Sequence, residues 1–192
     1  MNNQTPISGI LSPFLQKNRF KNAKPYFKGK SFLDIGCSLG EIIPHLPKNS
    51  KYLGIEGNKT YLMNAKKRWP RHKFLNIYLE KNNVNRLNIT ERFDTIIALA
   101  VIEHMNEPKK ILKGLKKYLK KNGIIIISTP TKFSEFILRF GSKFRIFSSS
   151  QIHKHKQHFT KKELKNLVKE AGYKIIHYHS FEFGLNHLIV IS

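Results

Sequence analysis

The chain has 192 residues, of which 40% are hydrophobic and 24% are charged. This length fits one domain with a workable core, and no apolar run approaches the ~18–20 residues that a membrane span needs. The single cysteine, Cys37, excludes an intramolecular disulfide and any metal cage built from cysteines. Because residues 1–5 lack the charged-then-apolar profile of a signal peptide, we expect a cytoplasmic protein.

The net charge of +23 arises from 35 Lys and Arg residues against 12 Asp and Glu residues. Such an excess favours an anionic partner, either nucleic acid, a phosphorylated substrate or an anionic membrane face, or else lysines that are scattered over a solvated surface. Lysine greatly outnumbers arginine, which is the preferred residue for bidentate recognition of phosphates. We therefore favour the solvated surface and keep nucleic-acid binding as the alternative.

Short β runs alternate with helical segments, which predicts an α/β fold with a doubly wound, mainly parallel sheet. We predict a single domain over residues 1–192, with an N-terminal helical segment (1–30) and a cap over the acceptor site (131–157). Seven strands are predicted at residues 31–35, 51–56, 72–79, 94–100, 124–129, 173–180 and 187–191. The short connection 182–184 predicts that the last strand runs antiparallel.

Capping signals predict where the helices begin and end. Ser12, Asn58 and Asn106 are the predicted N-caps of three helices, and Thr160 with Glu163 predicts a capping box at a fourth. A further helix, with a capping box from Ser38 and Glu41, is predicted directly after the first strand. The predicted helices cover residues 12–24, 39–46, 58–68, 106–122 and 160–172.

Residues 32–41, with the sequence FLDIGCSLGE, carry the central motif. A buried strand ends in Gly36, and the chain enters the next element at Gly40, so that backbone can approach a ligand closely at the carboxyl end of the sheet. Twenty residues past Gly36, the second strand ends at Glu56. A carboxylate there can accept hydrogen bonds from both hydroxyls of an adenosine ribose. The pair predicts a site for an adenosine-containing cofactor.

This motif has three other interpretations. A nicotinamide fingerprint needs G-x-G-x-x-G, whereas Ser38 stands between the glycines and Glu41 puts negative charge where a pyrophosphate would sit. The G-x-S-x-G elbow of α/β hydrolases matches residues 36–40, but that elbow normally follows several strands and only one precedes Ser38. A glycine turn without a ligand does not account for Glu56.

Four motifs in order resemble the class I S-adenosylmethionine-dependent methyltransferases, in particular the small-molecule group that includes the quinone methyltransferases. Residues 33–40 are similar to the first motif of that family, and residues 92–104 (RFDTIIALAVIEH) resemble its fourth-strand motif. Residues 121–130 resemble the fifth-strand motif, and residues 158–173 resemble the downstream helix. The resemblance covers residues 31–175 and implies the Rossmann-like methyltransferase fold.

The resemblance implies S-adenosyl-L-methionine as the cofactor, with the glycine loop around its methionine part and Glu56 on its ribose. Ser38 departs from the family, which usually has glycine there. The acid that usually follows the third strand near the adenine is not evident, although Glu80 and Asn82 are candidates. The predicted cofactor-binding residues are Asp34, Gly36, Cys37, Ser38, Gly40, Glu56, Gly57, Ala98, Leu99 and Ala100.

His104 is the candidate catalytic residue, because it follows the fourth strand near the point where the transferred methyl group should lie. It would act either as a general base toward an oxygen acceptor or as a residue that orients the pocket. Phe14 and His158 are predicted to contact the acceptor. His153, His155 and His158 have neither a carboxylate nearby nor an i, i+4 pair, so no metal is expected.

Two stretches of the sequence bear on the identity of the methyl acceptor. Residues 132–150 interleave aromatic and basic side chains, which predicts a pocket wall or a lid that touches an anionic membrane. The fourth strand ends in Ala98-Leu-Ala-Val101, without the Pro-Pro-aromatic turn of enzymes that methylate base amines. The favoured reaction is O-methylation of a small molecule (a quinone, lipid or saccharide), and the alternative is methylation or binding of nucleic acid. The residues carry no signal for an oligomeric state.

Overall fold

The computed structural model describes residues 12–80, 83–132, 134 and 157–192, and seven strands of these residues form one sheet. The order across the sheet is β3-β2-β1-β4-β5-β7-β6, in which β1 to β5 pair in parallel and β7 is antiparallel to both of its neighbours. The predicted α/β fold with an antiparallel last strand is confirmed. The strands are β1 (Ser31–Ile35), β2 (Lys51–Glu56), β3 (Lys73–Asn76), β4 (Phe93–Leu99), β5 (Leu119–Pro130), β6 (Ile175–Phe181) and β7 (Asn186–Ile191).

The direction in which strands are added to the sheet reverses between β1 and β4. The chain moves outward from β1 to β3 and then returns to place β4 on the other side of β1, where Phe32 pairs with Thr95 and Asp34 with Ile97. The connections that follow these two strands pack on opposite faces of the sheet, and open α/β sheets bind ligands in the crevice at such a point. The topology therefore places a binding site beyond Ile35 and Leu99.

Helices cover both faces of the sheet, which is why the strands are almost continuously apolar. The described helices are α1 (Ser12–Ala23), α2 (Lys59–Arg68), α3 (Pro108–Leu115) and α4 (Lys161–Glu170). One face packs against α3 and α4, whose buried side chains include Leu112 and Leu164. The other face packs against Leu62 of α2 and Ala23 of α1. None of the helices in the described ranges has the length and apolar character that crossing a membrane would require.

Two of the predicted helix starts are confirmed at atomic detail. The Asn58 side-chain oxygen accepts hydrogen bonds from the backbone N–H groups of Thr60 (2.9 Å) and Tyr61 (3.1 Å). At α4, the N–H of Glu163 donates to Thr160 Oγ1, and the N–H of Thr160 donates to the Glu163 carboxylate in return. Caps of this kind typically contribute ~0.5–2 kcal/mol each because they satisfy N–H groups that the helix itself leaves unpaired.

The helix predicted over residues 39–46 is wrong. This stretch forms turns followed by a short 3₁₀ segment, Ile43–His45. Gly40 has a φ of +71°, which lies outside the right-handed helical region. The indole N–H of Trp69, the residue directly after α2, donates to the Leu39 carbonyl at 3.0 Å. In a helix that carbonyl would accept a hydrogen bond from the backbone. Packing against α2 therefore overrides the local helix signals.

The helix predicted from Asn106 is shorter than expected and has no side-chain cap. Glu107 occupies the N-cap position, α3 begins at Pro108, and a 3₁₀ segment, Lys116–Tyr118, leads directly into β5. Gly123 thus lies inside β5, where the register with β4 shifts, and does not stop a helix. The buried Tyr118 hydroxyl donates to the Val84 carbonyl at 2.9 Å, which anchors the chain where the strand starts.

Candidate functional site

The turn after β1 depends on Gly36. Its φ is +69°, and a Cβ atom added there would lie 2.6 Å from Val101 Cγ2 in the segment that follows β4. Its backbone N–H donates to the Ile55 carbonyl of β2 at 2.8 Å, and the N–H of Cys37 donates to the same carbonyl at 3.0 Å. The absence of a side chain thus lets the segments after β1 and β4 meet closely at the mouth of the crevice.

Ser38 is not a helix N-cap, so the predicted capping box with Glu41 is wrong. Ser38 has a φ of +49°, in the left-handed region, whereas an N-cap residue has extended backbone. The Glu41 carboxylate accepts from the N–H of Leu39 (3.2 Å), and the N–H of Ser38 donates to Glu56 Oε2 (3.0 Å). The Ser38 backbone therefore contributes its N–H to the position of Glu56.

Glu56 ends β2 and is held by two backbone groups. Its Oε2 accepts from Ser38, and its Oε1 accepts from the N–H of Asn58 at 2.7 Å. A carboxylate has about four lone-pair positions, so each oxygen retains one for a ligand. Two fixed oxygens with one free acceptor direction each are suited to a pair of neighbouring hydroxyl groups, as on a ribose.

A pocket of about 660 Å³ lies at the carboxyl ends of β1, β2, β3 and β4. Its volume lies within the range of small-molecule sites. Glu56 and three other carboxyl-end positions share it with His104, so the fold brings together five of the predicted site residues: Gly36, Glu56, Gly57, Ala100 and His104.

The residues directly after β3 form one wall of the pocket, which the sequence did not predict. Ile77, Tyr78 and Leu79 line the pocket together with Glu80, which the sequence offered as one of two candidate acids. Met105 and Ile111 add further apolar surface, and both also belong to the core under α3. Apolar side chains together with a carboxylate are suited to contact an adenine ring. The only signal in the sequence was that β3 ends beside β2 at the same edge of the sheet.

The pocket is acidic in a strongly basic protein. Glu56, Glu80 and Glu107 line it, and among the described lining residues there is no Lys or Arg. S-adenosylmethionine carries a sulfonium and an ammonium group against one carboxylate, so its net charge is positive and complements these side chains. The carboxylate acceptors and the charge of the pocket therefore fit this cofactor.

Other predicted cofactor residues are not part of the pocket lining. Asp34 is buried and accepts a hydrogen bond from the Tyr52 hydroxyl at 2.8 Å, and burial raises the pKa of Asp34 to about 7. Cys37 lies in the core against Gly54, and burial raises the pKa of its thiol. Ser38, Gly40, Ala98 and Leu99 likewise do not line the pocket. Contact of these six residues with the cofactor stays a prediction.

His104 ends a short 3₁₀ segment, Ile102–His104, that follows β4 and lines the pocket. The preceding residue, Glu103, is buried, and its backbone carbonyl accepts from the N–H of Gln157 at 3.1 Å. The β4 exit is thereby fixed to the chain that leads into α4. His104 is held at the rim of the same pocket that contains Glu56.

The predicted acceptor residues Phe14 and His158 are not brought together. Phe14 is 59% exposed and lines a groove between α1 and β6, whereas His158 lines a separate shallow groove beside α4. Most of the predicted cap, residues 133 and 135–156, lies outside the described residues, as do His153 and His155. Within the part of the chain that the structure describes, no three His, Cys, Asp or Glu residues are grouped to hold a metal ion.

Comparison with known proteins extends these observations. A family model described as "Methyltransferase domain" matches residues 9–178. The mitochondrial ubiquinone biosynthesis O-methyltransferase of Dictyostelium discoideum is 29% identical over 117 residues, which cover 55% of this chain and 36% of that protein. The corresponding enzyme of Pelagibacter ubique is 28% identical over 131 residues, covering 68% of this chain and 54% of its own length. The chain thus spans about half or less of these two relatives.

A solved structure gives the same fold. Magnesium protoporphyrin IX methyltransferase from Synechocystis PCC 6803, with bound S-adenosylhomocysteine, superposes with a TM-score of 0.69 at 14% sequence identity. The match covers 100% of this chain and 89% of that one.

Proposed function

Because the chain belongs to the class I S-adenosylmethionine-dependent methyltransferases, we propose that it transfers a methyl group from S-adenosylmethionine to an oxygen atom of a small molecule. The observation that carries this proposal is the shared pocket of Glu56 and His104 at the point where the strand order reverses. In this proposal Glu56 lies at the cofactor end of the pocket and His104 at the end where the acceptor would enter.

The residues that would hold the cofactor lie on the loop after β1, at the end of β2 and after β3. Glu56 would accept hydrogen bonds from the ribose hydroxyls, and the wall Ile77–Glu80 would contact the adenine. The bare backbone at Gly36 leaves room for the methionine part. When bound, the cofactor supplies an electrophilic methyl group on a sulfonium, and the protein has to align an acceptor with it and exclude water.

His104 would act on the acceptor. Its position on the rim allows its imidazole either to take the proton from an acceptor hydroxyl or to orient that hydroxyl by a hydrogen bond. The two curated relatives are O-methyltransferases by name, which supports an oxygen acceptor.

The distribution of charge supports a small molecule over nucleic acid. A second groove, of about 940 Å³, lies at the amino ends of the parallel strands, opposite to the cofactor pocket. Its lining includes six Lys and Arg residues, and we call it the basic groove. A nucleic-acid backbone would be attracted to that groove, where no methyl group is available, and not to a pocket edged by carboxylates. The basic groove includes Lys48, Lys51, Arg71, Lys73, Arg92 and Lys120.

The proposal is tested by S-adenosylhomocysteine release with separate acceptor panels: phenols and hydroquinones, monosaccharides and inositols, dispersed phospholipid, and total RNA. We expect release with one small-molecule panel and a new methyl ether in its product by mass spectrometry and NMR. Glu56→Ala is the matched control and should lose that release at the same cofactor concentration. Methylation of RNA alone would overturn the proposal.

A further inference from the structure

A largely buried polar cluster includes Glu103, the residue directly before His104, and it consists of Arg19, Glu103, Thr129, Glu182 and Asn186. These residues come from α1, the segment after β4, the end of β5, the β6–β7 turn and the first position of β7. Arg19 interacts electrostatically with both Glu103 and Glu182, Thr129 lies close enough to Glu103 to lower its pKa, and the Asn186 amide donates to the Glu182 carboxylate. The five side chains therefore form one connected group.

Several individual atoms of the polar cluster are buried without a hydrogen-bond partner, although the side chains of Arg19 and Glu182 are only half-buried. Glu103 is 1% exposed, Thr129 is fully buried and Asn186 is 5% exposed. Over the described ranges, both carboxylate oxygens of Glu103 lack a hydrogen-bond partner, as do Thr129 Oγ1, Glu182 Oε1, Asn186 Oδ1 and Arg19 Nε. Buried polar groups are almost always paired, because an unpaired one loses its hydration without compensation. Several such atoms in one place indicate a site that a ligand completes.

The unpaired atoms of the polar cluster are mostly acceptors. The two Glu103 oxygens, the Glu182 oxygen and the Asn186 carbonyl oxygen accept hydrogen bonds, the Thr129 hydroxyl can accept or donate, and only Arg19 Nε is a dedicated donor. A ligand that satisfies them must carry several hydroxyl donors together with at least one acceptor. A quinone ring with an apolar tail lacks that number of donors.

The charge of the polar cluster also limits the ligand. The guanidinium of Arg19 interacts with both carboxylates, and burial raises the pKa of Glu103. The cluster thus contains its own counter-charge and has no need of a cationic amine or a metal ion. A neutral donor-rich molecule fits it better than either.

We infer that the acceptor is a polyhydroxylated small molecule of the saccharide or cyclitol class, bound by the polar cluster through hydroxyls next to the one that is methylated. Glu103 directly precedes His104, so the two side chains leave the same turn, one into the polar cluster and one toward the cofactor pocket. A ring with neighbouring hydroxyls can place one hydroxyl near His104 and the others in the polar cluster. The inference rests on the proposed O-methylation and specifies its substrate class.

The test measures binding and turnover separately. Protein loaded with S-adenosylhomocysteine is mixed with hexoses, methyl hexosides and inositols, and with catechol, hydroquinone and spermidine as comparison ligands, and binding is read by saturation-transfer NMR. The same compounds are then assayed for S-adenosylhomocysteine release with S-adenosylmethionine. We expect binding and turnover of at least one polyol and of none of the comparison ligands.

Variants assign the contact to the polar cluster. Glu103→Gln and Glu182→Gln remove charge at nearly constant shape, and each should raise the KM for the polyol about tenfold or more, with unchanged cofactor affinity. Glu170→Gln, at an exposed carboxylate that ends α4 and pairs with Lys109, is the matched control and should have no effect. Using two variants keeps the test valid if one of them fails to fold.

The remaining outcomes distinguish a failure of the polyol inference from a failure of the proposed O-methylation. Turnover of catechol or hydroquinone but not of polyols would overturn the polyol inference and leave O-methylation standing. A strict requirement for added Mg²⁺ that Glu103→Gln abolishes would also overturn it, because the cluster would then bind a metal. Methylation of spermidine, or of no small molecule despite cofactor binding, would overturn the proposed O-methylation itself.

Discussion

The backbone N–H of Ser38 donates to Glu56 Oε2 at 3.0 Å. This bond makes the glycine loop after β1 and the acid at the end of β2 one structural unit, although 18 residues separate them. A change at either residue is therefore expected to affect both the loop and the carboxylate.

Replacing Glu56 should weaken cofactor binding by about tenfold or more, because two charge-assisted hydrogen bonds to the ribose are lost. The measurement is the dissociation constant of S-adenosylmethionine by calorimetry for wild type and Glu56→Ala. Glu91→Ala is a suitable control, since Glu91 is an exposed carboxylate at the opposite end of the sheet. Equal affinities for wild type and Glu56→Ala would remove Glu56 from the ribose site.

Ser38→Gly should stabilise the fold by about 0.5–1 kcal/mol. Ser38 has a φ of +49°, which costs a side chain roughly 1–2 kcal/mol, and glycine relieves that cost at the expense of some backbone entropy. Ser38→Val should destabilise, because a β-branched side chain fits this region worst. Urea unfolding of the three proteins gives the ranking. If Ser38→Gly were the least stable of them, the left-handed backbone at residue 38 would be wrong.

Ser38 should also be inert as a nucleophile. The wild type is expected to bind S-adenosylmethionine and to resist a serine-directed phosphonate. Labelling at Ser38 without cofactor binding would favour the hydrolase interpretation of G-x-S-x-G.

Asp34 should make the protein less stable as the pH rises from about 4 to about 7. Burial raises its pKa to about 7, above the ~3.9 of an unfolded aspartate, so in this window only the native state retains the proton. The contribution is fully present below pH ~4 and is lost as pH rises through ~7, with a slope of up to ~1.4 kcal/mol per pH unit.

Asp34→Asn should flatten that slope. The amide oxygen can still accept from Tyr52 but does not titrate. Burial also raises the pKa of Glu103, which gives a remaining slope of the same sign. Urea unfolding at several pH values measures both proteins. An unchanged slope in the variant would show that Asp34 is ionised in the native state.

His104→Ala should lower kcat by about 10²–10⁴ if the imidazole is a general base, with a cofactor dissociation constant close to that of the wild type. His72→Ala, on the opposite end of the sheet, provides the control. A parallel loss of cofactor affinity would indicate an orienting role instead, and unchanged turnover on the true acceptor would exclude both roles.

Features that depend on neighbouring residues were predictable from the sequence. The bounds of β2, the cap at Asn58 and the capping box of Thr160 and Glu163 all agree with the structure. In each case hydrophobic pattern and backbone hydrogen bonds within one turn decide the outcome. The positions of the glycine turn and of Glu56 were also predictable, because each directly follows or ends a strand whose hydrophobic pattern is clear in the sequence.

Only the tertiary structure decided which residues share a pocket. Trp69 takes the Leu39 carbonyl and prevents the helix that the local signals favour. Ile77 and Leu79 became a wall of the site because β3 lies beside β2. The polar cluster joins Arg19 with Asn186, which are distant in sequence. Burial and long-range pairing create such sites, since the cost of an unpaired buried group arises only once the chain has folded around it.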